Sequence, residues 1–358
     1  MERREAAEAR PESMDEQVRS TPRQQFHTLE SRRLRRATSW KTALVASAAA
    51  IAVLWLGPSF PASGVRNAEA AARDSMPTLS FVAQVAREAL GRSGNVHMET
   101  ALPGSSVNYP LLVGGEVAGL FYQWVGVSDS VPIGPILPLG GAELRAPDEP
   151  GLYRLTLMRD SVRRMLDDLT LAVLVPFTEK RGSRLNGYLL GSWRSEAPAG
   201  FVQITERDLD LPLSKHVRLG DFLPHDGQSA WPRYAAVDQK LLDKLELVLA
   251  QLDEWAGADR KVTVDVNAGF RSPSYNRRVA GAANASRHQH GDAIDVAIDA
   301  NGDGRVSHAD VVLVQKAVEA VERANPDLAG GLGVYTSGNY RRPFVHIDTR
   351  GHRARWRG

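Results

Sequence analysis

The chain has 358 residues, 43% of them hydrophobic and 24% charged, with a net charge of +2 and no cysteine. Such a length accommodates two domains with extensions, and the near-balanced charge argues against nucleic acid as the main partner. Without cysteine the chain offers neither disulfides nor thiolate metal ligands.

Residues 1–41 are polar, rich in Arg, Glu and Gln, and lack an apolar period. That is the composition of a disordered basic arm, expected on the cytoplasmic side. Thr42 to Gly57 is an uncharged apolar run, and residues 42–60 approach the lower limit of about 17 residues for a spanning helix. Arg32, Arg33, Arg35, Arg36 and Lys41 precede it, which predicts a single-pass segment with everything downstream in the periplasm or otherwise outside the cytoplasm. Ala68 and Ala70 offer a signal-peptidase site, but the basic region before them is long for a signal peptide, so a membrane anchor is the expectation. Residues 61–94 read as a linker ending in an exposed helix. Residues 95–195 change to short apolar runs broken by Gly and Pro, among them Leu120–Val125, Tyr153–Leu157 and Leu171–Val175, which predict strands. Asp148, Gly151 and Tyr153 spell the Asp-x-x-Gly-x-Tyr turn of a tyrosine corner. An all-β immunoglobulin-like sandwich without a disulfide is therefore expected, with its Trp and Tyr residues in the core.

Residues 196–214 read as a second linker, and residues 215–358 as an α+β domain with a small, mostly antiparallel sheet. A helix is predicted from about Ala236 to Trp255, with Leu241, Leu242, Leu245, Val248, Leu249, Leu252 and Trp255 in one apolar stripe. Val262 to Val266 predicts a strand. Within Val266–Asp299, the residues Ser286, His288, Gly291, Ala293 and Asp295 form the string Ser-x-His-x-x-Gly-x-Ala-x-Asp. Ala293–Asp299 alternates as a strand, with Ile294, Val296 and Ile298 on one face and Asp295 on the other, between two small alanines. Phe344–Asp348 repeats the pattern, with Phe344, His346 and Asp348 sharing a face. Two His and one Asp on facing strands, with a fourth position open, predict a catalytic zinc site at His288, Asp295 and His346.

These residues, together with Gly269-Phe270-Arg271-Ser272-Pro273 and Tyr275-Asn276, resemble the zinc D-alanyl-D-alanine carboxypeptidase family, whose fold is shared by the Hedgehog signalling domain. The resemblance covers roughly Lys215 to Trp356 and rests on four elements in the right order. It implies a zinc metallopeptidase acting on peptidoglycan stem peptides at D-amino-acid bonds. It also implies that Arg271 stabilises charge on the scissile carbonyl oxygen, and that Tyr275, Asn276 and Ser286 lie near the substrate. Many relatives place a Glu three residues before the last zinc histidine; here that residue is Pro343. Asp348 is the preferred substitute, as general base or as a partner that orients His346. His290, His352 and Asp292 stand behind it.

A second cation is expected. Asp299, Asn301, Asp303, Gly304, Arg305, Ser307 and Asp310 fall at EF-hand loop positions within residues 299–310, which predicts calcium. Ser307 and Asp310 are also suited to cap a helix running to about Ala324. Two functions remain open: a zinc D,D-peptidase, and a non-catalytic, metal-stabilised cell-wall-binding or scaffolding protein. The complete ligand set favours the first; Pro343 favours the second.

Overall fold

The computed structural model describes residues 81–85, 90–107, 109, 111–114, 117–139, 144–194, 196–336 and 341–358. The expected basic arm and membrane segment lie outside the described residues, and no described helix is long and apolar enough to cross a membrane. The chain divides into Met1–Ala71 and Ala72–Gly358, and every described residue belongs to the second unit.

The first half of that unit differs from the sequence expectation in three ways. Val82–Val85, expected in a helix, is a strand paired antiparallel with Leu111–Gly114. The expected sandwich is, among the described residues, one five-stranded sheet with three separate two-stranded ribbons, the Val82–Val85 pair included. The sheet runs Met98–Ala101, Val162–Val173, Gly151–Arg159, Phe121–Gly126 and Pro132–Pro138, its first pair parallel and the rest antiparallel. The corner turn itself forms: the Tyr153 hydroxyl donates to the Glu149 carbonyl at 2.9 Å. Trp124 and Tyr109 fill the core edge to face, 5.9 Å apart. Finally, residues 196–214 are not a linker. Gly200–Ile204 is the middle strand of a three-stranded sheet, pairing with Val175–Pro176 and with Arg233–Ala235. Phe201, Val202, Ile204 and Leu213 are fully buried in one core with Met98, Leu152 and Ala172 from the first sheet and with the helices downstream.

The second half matches its pattern closely. Helix α1 (Gln239–Ala256) starts where the Asp238 carboxylate accepts from the Lys240 amide, and it stops at Gly257. Its leucine stripe is buried as expected, but Trp255 stays 46% exposed. Unexpectedly, Asp243, Lys244 and Glu246 on the same helix are buried too. Strand β1 (Thr263–Ala268) leads to β2 (Ala293–Asp299), then helix α2 (His308–Ala324), β3 (Gly331–Tyr335), β4 (Phe344–Asp348) and β5 (Ala354–Arg357). Ser307 and Asp310 close a capping box at the start of α2. The sheet order is β1-β2-β4-β3-β5, antiparallel except for β3 with β5. Ile294 and Val296 pair with Ile347 and Val345, and these residues join α1 and α2 in the core. Asp295 therefore sits opposite His346, on the other face. Hydrophobic burial of one face thus fixes which side chains the opposite face presents.

Candidate metal centre

His288, unlike the other two members of the group, does not lie on a strand. It sits in a 3₁₀ turn, Arg287–His290, that ends at Gly291 with φ 76°. A side chain at Gly291 would also strike the Ala236 carbonyl, so only glycine lets the chain turn here. The His288 Nδ1–H donates to the Gly269 carbonyl at 2.6 Å, which leaves Nε2 as a bare lone pair. On β4, the His346 Nε2–H donates to Asp348 Oδ2 at 3.0 Å, which leaves Nδ1 bare in the neutral ring.

These two nitrogens and Asp295 Oδ1 meet at one point. Nε2 of His288 lies 3.2 Å from Asp295 Oδ1 and 3.1 Å from His346 Nδ1, and His346 Nδ1 lies 2.9 Å from Asp295 Oδ1. It is the one group of three metal-ligating side chains found among the described residues, and all three are buried. Zinc bonds of roughly 2.0–2.1 Å at tetrahedral angles set donors about 3.3 Å apart, close to this triangle. Three acceptor lone pairs facing one another away from water repel unless a proton or a cation sits between them. The donor set, two imidazoles and a carboxylate, fits zinc.

The metal-free electrostatics agree. Burial pushes the His288 ring down, towards the neutral form a ligand needs. Burial also lowers His346, but the Asp295 and Asp348 carboxylates outweigh it and leave the ring raised above its ordinary 6.5. Burial works against the Asp295 charge, yet His288, His346 and Arg271 hold its carboxyl well below the usual range.

The other predicted residues separate. The Arg271 guanidinium donates to Asp295 Oδ2, and its backbone N–H donates to the His288 carbonyl at 3.0 Å, so it ties two of the three together. Tyr275 is half-buried and lies near Arg271 and Arg278; burial pushes its phenol up and both cations oppose this. Asn276 does not reach a substrate surface: it is 3% exposed, and its Nδ2 donates to Ala283 across a loop. Ser286 occupies the N-cap of the 3₁₀ turn without a side-chain cap bond.

Asp348 is not available as a base. It is fully buried and accepts from His346, the Gly331 amide at 2.7 Å, and the Arg350 amide and guanidinium. Burial alone would raise its carboxyl, but these donors hold it far below the usual range. A side chain at Gly331 would collide with this carboxylate, so the glycine makes room for it. Asp348 is instead the partner that orients His346. Asp292 is paired with Arg287 and buried, and His290 is pushed down by burial beside Arg287.

In the 299–310 loop, Asp299 accepts from the Asp303 and Gly304 amides, Asn301 from the Asp303 amide, and Asp303 from the Arg305 amide. Asp310, expected as the last calcium ligand, accepts from the Ala300, Asn301 and Ser307 amides and the Ser307 hydroxyl. Its lone pairs serve the helix cap and the loop.

Several residues near the centre gave no local signal. Lys244 of α1 donates to the Asp348 carbonyl and to Glu322 Oε1, both at 2.8 Å. Glu322 of α2 also accepts from the Gly330 amide and from Arg355. The Trp193 indole donates to the Gln289 carbonyl at 2.9 Å, next to His288. Their partners lie far off in sequence, where no spacing rule points.

Residues 226–348 match the family model described as peptidase M15. This supports a metallopeptidase of the M15 family, whose members are zinc-dependent and include D-Ala-D-Ala carboxypeptidases. No curated protein and no solved structure matches the chain.

Proposed function

We propose, taking the M15 match over residues 226–348 as premise, that the protein is a zinc peptidase that cleaves peptidoglycan stem peptides at D-amino-acid bonds, as the D-Ala-D-Ala carboxypeptidases do. The observation that carries this is the convergence of His288 Nε2, Asp295 Oδ1 and His346 Nδ1, three buried lone pairs with no proton donor among them when both rings are neutral. Zinc held there would supply an activated water and polarise the scissile carbonyl. The chain's own residues do the rest. Gly269 and Asp348 fix the two imidazole tautomers. Arg271, anchored on Asp295, is the cation placed to stabilise negative charge on the carbonyl oxygen. Tyr275, half-exposed beside it, is suited to contact the peptide. Incubating the full chain with purified muropeptides and weighing the products tests this: loss of a terminal D-alanine, abolished by chelation, is expected. An unchanged muropeptide panel in the presence of zinc would refute it.

The sealed Asp348 and the absent acid at Pro343 favour a second reading, in which zinc only stabilises a wall-binding module. Binding to peptidoglycan without any cleavage product would select it. Either reading needs the domain outside the cytoplasm, as the basic residues before Thr42 suggest. A reporter active only outside the cytoplasm, fused after Gly358, should work; a silent one would refute the topology. The proposal extends to calcium at residues 299–310, supported by the matched loop positions Asp299, Asn301 and Asp303.

A further inference from the structure

Amide hydrolysis needs a group that takes a proton from the attacking water and passes it to the leaving amine. Neither Pro343 nor Asp348 can do so here. The metal-bearing face of the sheet carries four carboxylates among the described residues. Asp295 belongs to the centre itself, and Asp348 is sealed behind His346. Asp299 is buried and accepts from the Asp303 and Gly304 amides. The fourth is Asp265 on β1. It pairs with Ala297, two residues along β2 from Asp295, so both carboxylates point from the same face. Val264 and Val266 turn to the core on the other face. Two residues of strand and one strand spacing put Asp265 about 7 Å along and about 5 Å across the sheet from Asp295.

Asp265 is also the open one: its side chain is 64% exposed. Its partner is Arg342, which donates to Oδ2 and immediately precedes Pro343 and β4. The ion pair therefore holds the carboxylate over the start of β4, four residues before His346.

We propose that Asp265 is the general base of the hydrolysis, an assignment that rests on the peptidase reading above. Water oxygen bonds to the scissile carbonyl carbon while its proton passes to the Asp265 carboxylate. The C–N bond then breaks and the amine departs with that proton, which returns Asp265 to its charged form. Arg342 holds the carboxylate in place and is a positioning residue.

The test uses the full chain with a purified disaccharide-pentapeptide muropeptide, comparing the unsubstituted protein with Asp265→Asn and Asp265→Glu. Asp265→Asn should keep its zinc and its KM but lose about a hundredfold or more in kcat. Asp265→Glu, which keeps a carboxylate, should recover part of the rate. Unchanged kcat in Asp265→Asn, or a loss of rate that follows a loss of zinc, would overturn the assignment while the peptidase reading stands. Absence of turnover in the unsubstituted protein would overturn both.

Discussion

At the scale of single residues, the centre is a problem in tautomers. Gly269 and Asp348 each take one ring proton, and what remains is a set of acceptors that demands a cation. In the metal-free protein His346 has a raised pKa, because Asp295 and Asp348 outweigh the effect of burial. Zinc must displace that proton from Nδ1. Affinity should therefore be highest above the raised value and fall as pH drops through it, approaching tenfold per pH unit below it. Zinc titrations between pH 5 and pH 8, about the range over which histidine normally charges, would show this; a flat profile would exclude His346 as a ligand. Asp348→Asn should lower zinc affinity by about 10–100-fold, because the amide no longer fixes the ring. An equally tight site in that variant would mean that Asp348 does not orient His346.

At the scale of elements, the strand end bearing Asp348 is clamped from the helix side. Lys244 on α1 and Glu322 on α2 form a buried pair, and Lys244 also holds the Asp348 carbonyl. Burial lowers the Lys244 pKa, and the Glu322 and Asp348 carboxylates oppose this. Removing Lys244 leaves Glu322 paired with Arg355 but takes a buried donor from Glu322 and from the Asp348 carbonyl, so Lys244→Met should cost about 1–3 kcal/mol in denaturant unfolding. Lys244→Met with Glu322→Gln should recover part of that loss; equal losses in the single and double variants would show that the pair is not coupled. The loop before α2 makes the opposite point. Because Asp310 serves four donors of the chain, calcium must compete with the helix cap for it. Millimolar calcium should raise the melting temperature of the full chain by linkage, and Asp299→Ala with Asp303→Ala should abolish the shift. No shift in the unsubstituted protein would leave the loop a self-satisfied turn.

At the scale of the described unit, Ala72–Gly358 is not two domains on a tether. Met98, Leu152 and Ala172 share a core with Phe201, Leu213 and the leucines of α1. Asp243 accepts from the Arg92 and Ser93 amides, and Gln239 donates to the Met98 carbonyl and the Glu99 carboxylate. A fragment beginning at Lys215 would leave Phe222, Leu241 and their neighbours without that cover. Such a fragment should be insoluble or lack a cooperative unfolding transition, whereas one beginning at Ala72 should unfold cooperatively. A stable, zinc-binding fragment from Lys215 would restore the two-domain view.

The metal centre and its sheet were legible in the sequence because their signals are local. Alternation in Ala293–Asp299 and Phe344–Asp348 assigns faces with a period of two, and only His, Asp and their kind ligate zinc. Helix α1 and the capping box of α2 were legible for the same reason. The tertiary structure decided what depends on distant partners. Lys244, Glu246 and Glu322 carry the charges of a solvated face, and only the partners brought to them by folding make them buried. Residues 196–214 carry the turn chemistry of a linker, yet Gly200–Ile204 finds strands on both sides. Asp348 shares the face of His346 by alternation, but whether it meets water or a ring proton depended on Gly331 and Arg350 closing over it. Asp265 looked like any surface acid until the pairing of β1 with β2 set it on the face that bears the centre. Periodicity acts along the chain; burial and partnership are settled only when distant segments pack, and the roles of charged residues follow from them.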